Sequence, residues 1–528
     1  MPPGFRRSSS WKRNPTHIFK FIAAAFVLFF YFIFTVFGES PHAPRNGARI
    51  QWDGFINGTG VVDEPRAARV VEAMKHTFWT YKEHAWGADM ILPVSGHKSN
   101  KRGGWGATIV DSASTLAIME LWEELELAVN HIIEGIDFTK TDDLVDPFET
   151  TIRHLGGMVS VVDLWDAGII PKKVISREKR DKIVKQAVIL GQKLGPAYDS
   201  PTGLPWPRVD FMTSKGVPDP RQEELQEDGK PRYAHPTIGP ARAGSNILEN
   251  RVLSRLTHNP IYFQNSTLAC YYEYLLKITL LTPQDRYTPM YKKQWERAVH
   301  SLRDNLASRN RPSATYMTQH LFLGKRDDDL DINTQSQLAC FAAGNILLGG
   351  AHLQKPSFIA LGKALVEACH HTYASTPTSI GPEKWAWSPK FGVRDATVTP
   401  ETERQQAEWA NAGFWAINPS FRLRPEYVES LFYAWRITGE ARYREWAWDA
   451  FVAIETHCKA RYGYAGLKDV MVASSADGAR DEAQMDESES FWHAETLKYF
   501  WLIFADSRVA SLDRWVFSTE GHLFRMIR

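Results

Sequence analysis

Along most of the chain, apolar residues recur every three or four positions, the spacing of a helix that buries one face. Segments with that period run over 64–81, 112–134, 147–164, 180–194, 246–256, 267–281 and 292–306, and again over 335–348, 357–373, 424–438, 443–458 and 487–504. Loops rich in glycine and proline separate them, and no run of alternating residues competes as a strand. The pattern predicts an all-α protein of about fourteen helices in one domain over 63–528. Helix pairs in that number can close into a ring or stack as an open solenoid, and periodicity does not choose between them. Long polar loops at 207–242, 308–334, 388–420 and 470–486 are placed to line one mouth of a ring.

One segment breaks this pattern. Residues 21–37 read FIAAAFVLFFYFIFTVF, apolar throughout except for Thr35. The run sits at the short end of a membrane span, and Ile18 and Phe19 extend it past Lys20. Arg6, Arg7, Lys12, Arg13 and Lys20 precede it and the first acid is Glu39, so the positive-inside bias leaves 1–20 in the cytosol. A cleaved signal peptide is the alternative, disfavoured by the length of the run and the lack of a small-x-small cleavage pattern. The expectation is a type II signal anchor over 21–38, a stem over 39–62, and a lumenal domain in the ER or Golgi. Sequons at Asn57 and Asn265 suit a lumen.

Composition changes this picture little. A net charge of +1, from 62 basic and 61 acidic residues, argues against nucleic acid, whose phosphates demand a basic excess. The 19 tryptophans serve either as helix packing or as platforms for sugar rings. Four cysteines, Cys270, Cys340, Cys369 and Cys458, permit one or two disulfides, too few for a disulfide-built scaffold.

Candidate chemistry lies in a few short stretches. In FRLRPEYVESLFYAWRITG, Pro425 suits a first helical turn, and Glu426 and Glu429 share a face. Both are ordinary partners for the helix dipole, and Arg424 beside them forms an ion pair or orients a carboxylate. In DPFETTIRHLGGMVS, Glu149 and Arg153 have the spacing of a helical ion pair. Gly156 and Gly157 cost about 1 kcal/mol each inside a helix, which points to close approach of another backbone or a ligand. SESFWHAETLKYFWLIF carries Glu489, Phe491 and Glu495, YYEYLLK carries Glu273, and WVFSTEGH carries Thr519 and Glu520. Each is weak alone. Together they set acids beside apolar stripes on different helices, where burial requires a partner or a cation.

Those stretches also resemble, in order, the class I α-1,2-mannosidases of glycoside hydrolase family 47. GGWGATIVDSASTLAIMEL, FETTIRHLGGMVSVVDLW, PAYDSPTGLPWPRVDF, ILENRVLSRLT, YYEYLLK, LACF, LRPEYVESLFY, ESFWHAETLKYFWLIF and VFSTEGH carry the resemblance across nearly all of 65–523. It implies an (αα)7 barrel that removes α-1,2-linked mannose from high-mannose N-glycans with inversion and needs Ca²⁺. By the same resemblance Glu149 is the catalytic acid and Glu426 the base. Arg153, Arg424, Phe491, Glu495 and Glu273 would hold substrate, with Phe491 stacking on the sugar. Thr519 would bind Ca²⁺, with waters held by Glu429 and Glu520, and Cys340 would pair with Cys369. Cys270 and Cys458 match nothing in the pattern. The sequence also departs from it. Ala269 and Cys270 stand where active members carry Asp-Ser, Ser336 and Gln337 replace an Asp-His, and Met90 replaces a Glu. An alanine can neither take a proton nor orient a water, so the alternative is an impaired, mannosidase-like glycan-binding or quality-control protein.

Overall fold

The structure is a computed structural model that describes residues 49–55, 62–141, 143–219, 238–265, 272–327, 330–389, 398–473 and 481–527. The expected tail over 1–20, the anchor over 21–38, Asn57, Ala269 and Cys270 lie outside the described residues. Among the described residues, no helix is long and apolar enough to cross a membrane.

Among the described residues, fourteen of the helices alternate between two shells. The outer shell is α1 (Glu64–His84), α3 (Trp122–Asn130), α5 (Arg177–Leu194), α7 (Pro260–Asn265), α9 (Thr288–Asn305), α11 (Pro356–Ala374) and α13 (Arg442–His457). The inner shell is α2 (Ala107–Ile118), α4, α6 (Ile247–Thr257), α8 (Tyr272–Leu281), α10 (Phe341–His352), α12 (Glu426–Thr438) and α14. Helix α4 runs from Pro147–Thr150 through a π-helical turn, Thr151–Leu155, into Gly156–Asp166; α14 runs from a π-helical turn, Trp492–Thr496, into Leu497–Phe504. Each inner helix touches the next, and α14 returns to α2, so the inner shell closes as a ring. The outer helices pack one on each inner helix, with α1 against α14. The ring, rather than the open solenoid, is therefore the arrangement found.

The two shells differ for a physical reason. Outer α9 buries Thr288, Tyr291, Trp295 and Val299, a stripe at helical spacing with polar residues elsewhere. Inner α2 is buried along its whole length, so it carries no amphipathic stripe. Its expected span of 112–134 is broken at Glu120, whose positive φ of 58° turns the chain out into α3. Among the tryptophans, Trp295, Trp385, Trp387, Trp415 and Trp492 are fully buried, which is the packing alternative.

Regular elements that periodicity did not show lie in and beside the long loops. Gln335 and Ser336, expected to begin the helix over 335–348, are strand, so that α10 starts at Phe341. Residues Thr334–Ser336, Lys384–Ala386 and Trp415–Asn418 form a three-stranded antiparallel sheet, and Glu403–Ala412 is a helix with a Thr402–Gln405 capping box. Strands of three or four residues are too short for alternation to register. Residues 49–55, expected in the stem, instead pack on the helices: Ile50 and Phe55 are buried, and Gln51 accepts a hydrogen bond from Arg436 at 3.0 Å. Cys340 and Cys369 form a disulfide between the start of α10 and α11, and Cys458 is a buried free thiol.

A C-terminal hairpin, β1 (Trp515–Phe517) and β2 (Leu523–Arg525), enters the ring. Phe517 packs on Phe432 and Tyr499, while Ser160 donates to Leu523 O at 2.9 Å and accepts from Leu523 N at 3.0 Å. The double glycine explains how α4 comes so near. A Cβ on Gly157 would stand 2.5 Å from Val110 O in α2, and one on Gly156 would stand 2.8 Å from the His522 ring. Gly157→Ala is expected to cost about 1–3 kcal/mol, because the obstacle is backbone and cannot swing away. Equilibrium denaturation measures it; an unchanged midpoint would refute the close approach.

Candidate active site

The hairpin turn delivers Ser518 to His522 into the ring, facing acids from the inner helices. Two buried lysines hold its ends: Lys498 donates to Gly521 O at 2.6 Å and Lys277 to Ser518 O at 3.5 Å. Lys277 also pairs with Glu273 one helical turn away, which gives that acid its partner. Tyr274 donates to Glu249 at 2.7 Å and accepts the backbone hydrogen of Thr519 at 3.0 Å. Lys498 also donates to Ser114 Oγ at 2.9 Å, leaving the Ser114 proton for His522 Nδ1 at 3.0 Å. His522 is thereby set as the tautomer whose Nε2 hydrogen meets Asp111 at 3.1 Å.

Helix α4 supplies the central cation. Asp146 caps it, accepting from Phe148 N at 3.0 Å and Glu149 N at 3.4 Å, with Pro147 in the first turn. The π-helical turn then carries Arg153. Arg153, 5% exposed, reaches Glu149 Oε2 at 2.9 Å, Asp111 Oδ2 at 3.3 Å and the carboxylate of Glu520. Burial alone would raise Asp111, but the His522 hydrogen bond, the charge of Arg153 and the Ser490 hydroxyl hold it below the usual carboxylate range. Burial would likewise raise Glu149; the charges of Arg153 and Arg102 outweigh it and bring that carboxyl down.

Opposite elements supply the second arginine–glutamate pair. Leu423, buried and at φ 59°, is held by Thr496, whose hydroxyl donates to its carbonyl at 2.7 Å. The turn places Arg424 beside Glu383, with Nε at 2.6 Å, and starts α12 at Glu426. Arg424 lies 3.8 Å from Glu426, and Glu426 Oε2 is buried without a partner among the described residues. Burial pushes Glu426 up, only partly offset by Arg424. Both arginines face the ring of Phe491, at 5.8 Å for Arg153 and 5.9 Å for Arg424.

Between these pairs lies a crowd of buried acids. Burial raises Glu429 to about 8, with Lys277 opposing and Glu273 and Glu426 reinforcing. Burial also drives Glu495 and Glu520 well above the carboxylate range; Glu520, Glu429 and Glu426 push Glu495 further, and Arg153 offsets only part of the rise at Glu520. Thr519 is the half-exposed member of the turn, and its hydroxyl has no protein partner among the described residues. Crowded acids around an open hydroxyl suit a hard cation. Among the described residues, no three His, Cys, Asp or Glu side chains converge as a direct metal cage.

The structure therefore brings together Glu149, Arg153, Glu273, Arg424, Glu426, Glu429, Phe491, Glu495, Thr519 and Glu520 in the ring interior and its mouth. Sequence reasoning did not single out Asp111, Glu249, Glu383, Lys498, His522 or Arg102. A signal existed for two of them: Asp111 is the sole charge in ATIVDSASTLAI, and Lys498 the sole charge in LKYFWLIF. Beside Glu149 the ring opens into a cavity of about 730 Å³, walled by Arg102, Asp146, Glu149, Arg208, Asp219 and Arg242.

The sequence profile of Glycosyl hydrolase family 47 matches residues 73–270 and 265–526. Over 503 residues the chain is 35% identical to the probable mannosyl-oligosaccharide alpha-1,2-mannosidase 1B of Aspergillus clavatus, spanning 87% of this chain and 93% of that protein. It is 34% identical over 515 residues to the mannosyl-oligosaccharide alpha-1,2-mannosidase 1B of Aspergillus oryzae, spanning 88% and 92%. Among solved structures, the alpha-1,2-mannosidase from Trichoderma reesei superposes with a TM-score of 0.76 at 28% identity, over 88% of this chain and 100% of that one.

Proposed function

Because the chain belongs to glycosyl hydrolase family 47, we propose that it is a Ca²⁺-dependent, inverting α-1,2-mannosidase that trims high-mannose N-glycans in the secretory pathway. One observation carries the reading: Glu149 and Glu426 open two inner helices, each beside an arginine that faces the same Phe491 ring. Inversion needs a carboxylic acid for the leaving oxygen and a carboxylate to activate water from the opposite side of the sugar. By the family pattern Glu149 takes the first role and Glu426 the second. In the protein by itself the arginines hold Glu149 low and burial pushes Glu426 up. Substrate and cation binding must reverse that order before the acid can donate. Phe491 offers an apolar face to the mannose ring, and Glu495 and Glu273 bind hydroxyls. Thr519, with waters on Glu429 and Glu520, would hold Ca²⁺. The bound ion would offset the crowded carboxylates and ligate vicinal hydroxyls. The anchor read at 21–38 would tether the enzyme in the ER or Golgi membrane, facing the lumen.

A second reading rests on Ala269, where active members carry a catalytic aspartate. It is a glycan-binding or quality-control protein that keeps the site and has lost turnover. Incubating the protein with a high-mannose N-glycan and Ca²⁺, with and without chelator, separates the two. The mannosidase reading expects release of free mannose that chelation stops. Glycan binding without release supports the second, and Ala269→Asp is then expected to restore measurable release.

A further inference from the structure

A third arginine reaches the site from a loop rather than a helix. Fully buried Asp89 accepts the backbone hydrogens of Arg102 at 2.7 Å, Gly104 at 2.8 Å and Ala107 at 3.2 Å. The loop wraps this one carboxylate because Gly103 and Gly104 adopt φ of +92° and +73°. That fold fixes where Arg102 starts. Its guanidinium then spans two acids, 3.2 Å from Glu149 Oε2 and 3.0 Å from Glu489 Oε2. Arg153 approaches the same Glu149 oxygen from within α4 at 2.9 Å. Both cations thus engage Oε2, and no described residue bonds Oε1 of Glu149. Arg102 and Glu149 are both in the wall of the 730 Å³ cavity, and Arg102 Nε is buried without a partner among the described residues.

We propose that Arg102 is a positioning residue for glycoside cleavage: it clamps one oxygen of Glu149 against Arg153, ties it to Glu489, and leaves the other oxygen to the substrate. The proposal rests on the mannosidase reading of Glu149. A carboxyl held by one arginine of its own helix can still rotate about its side-chain torsions; a second clamp from another element removes that freedom. The groups facing Glu149 are Arg153 in α4, Arg102 in the loop, Arg242 in Pro240–Gly244, and Glu520 in the hairpin turn. Removing Arg102 takes away one of three positive charges and leaves the negative one, so Glu149 should bind its proton more tightly.

The test uses Arg102→Gln and Arg102→Lys in the full chain. Glu149 is titrated by carbon-13 carboxyl NMR, with Glu149→Gln assigning the signal. Melting temperature, kcat and KM on a high-mannose glycan are measured beside it. Arg102→Gln is expected to move the Glu149 midpoint up by about one pH unit. It should lower kcat about tenfold or more at nearly constant KM, and shift the alkaline limb of kcat/KM upward. Arg102→Lys should keep the midpoint, because the charge remains, and recover part of kcat. An unmoved midpoint in Arg102→Gln overturns the proposal, as does a fall in melting temperature with no change in titration. A wild-type chain that releases no mannose refutes the mannosidase reading instead, and the carboxyl titration, which needs no turnover, tells the two failures apart.

Discussion

Glu426→Gln is expected to slow mannose release about a thousandfold or more while leaving the fold intact. The amide keeps the size of the side chain but cannot take a proton from water. Its cost to stability should be small, because the buried Oε2 of Glu426 has no partner among the described residues and its closest cation, Arg424, stands 3.8 Å away. Burial already pushes this carboxyl up, so folding works against its charge. The measurement is mannose release under saturating glycan, with thermal melting on the same sample. A large rate loss at unchanged melting temperature assigns the effect to chemistry. A variant within tenfold of wild type would remove Glu426 from the base role.

Arg153→Met is the change expected to harm stability most, by about 3–5 kcal/mol at neutral pH. Arg153 is the shared partner of Asp111, Glu149 and Glu520, and methionine fills much of its space without its charge. The pH dependence follows from linkage. Asp111 and Glu149 lie below their ordinary values in the fold, so they stabilise it above those values and lose that contribution as pH falls through the folded ones. Without Arg153, burial raises them, and the variant is weakest at neutral pH and recovers toward acid. Denaturant unfolding at pH 7 and pH 5 should show the gap between variant and wild type narrowing. A gap that stays constant would mean that Arg153 acts through shape rather than charge.

How far these sites were legible depended on what each residue has to do. Glu149–Arg153 and Glu426–Glu429 showed as helical spacings, but an ion pair on a surface helix has the same spacing. What distinguishes them is burial, and burial is a property of the ring. Glu520 and Thr519 lie more than three hundred residues from Arg153 in sequence, and only the hairpin turn joins them. Arg102 left no sequence signal, since its position comes from backbone hydrogen bonds to Asp89 in a loop. The short strands of the polar loops were missed for a related reason: three residues give no period to read.

The helical class and the family were legible in the chain alone, because the 3.6-residue period and the ordered motifs are local properties. It also exposed Ala269, which stands with Ser336, Gln337 and Met90 among the departures from the family pattern. The tertiary structure alone decided that the helices close into a ring, that a hairpin fills it, and which acids meet which cations inside. Those outcomes depend on contacts between distant segments, where the low dielectric makes each charge depend on neighbours that no local pattern names.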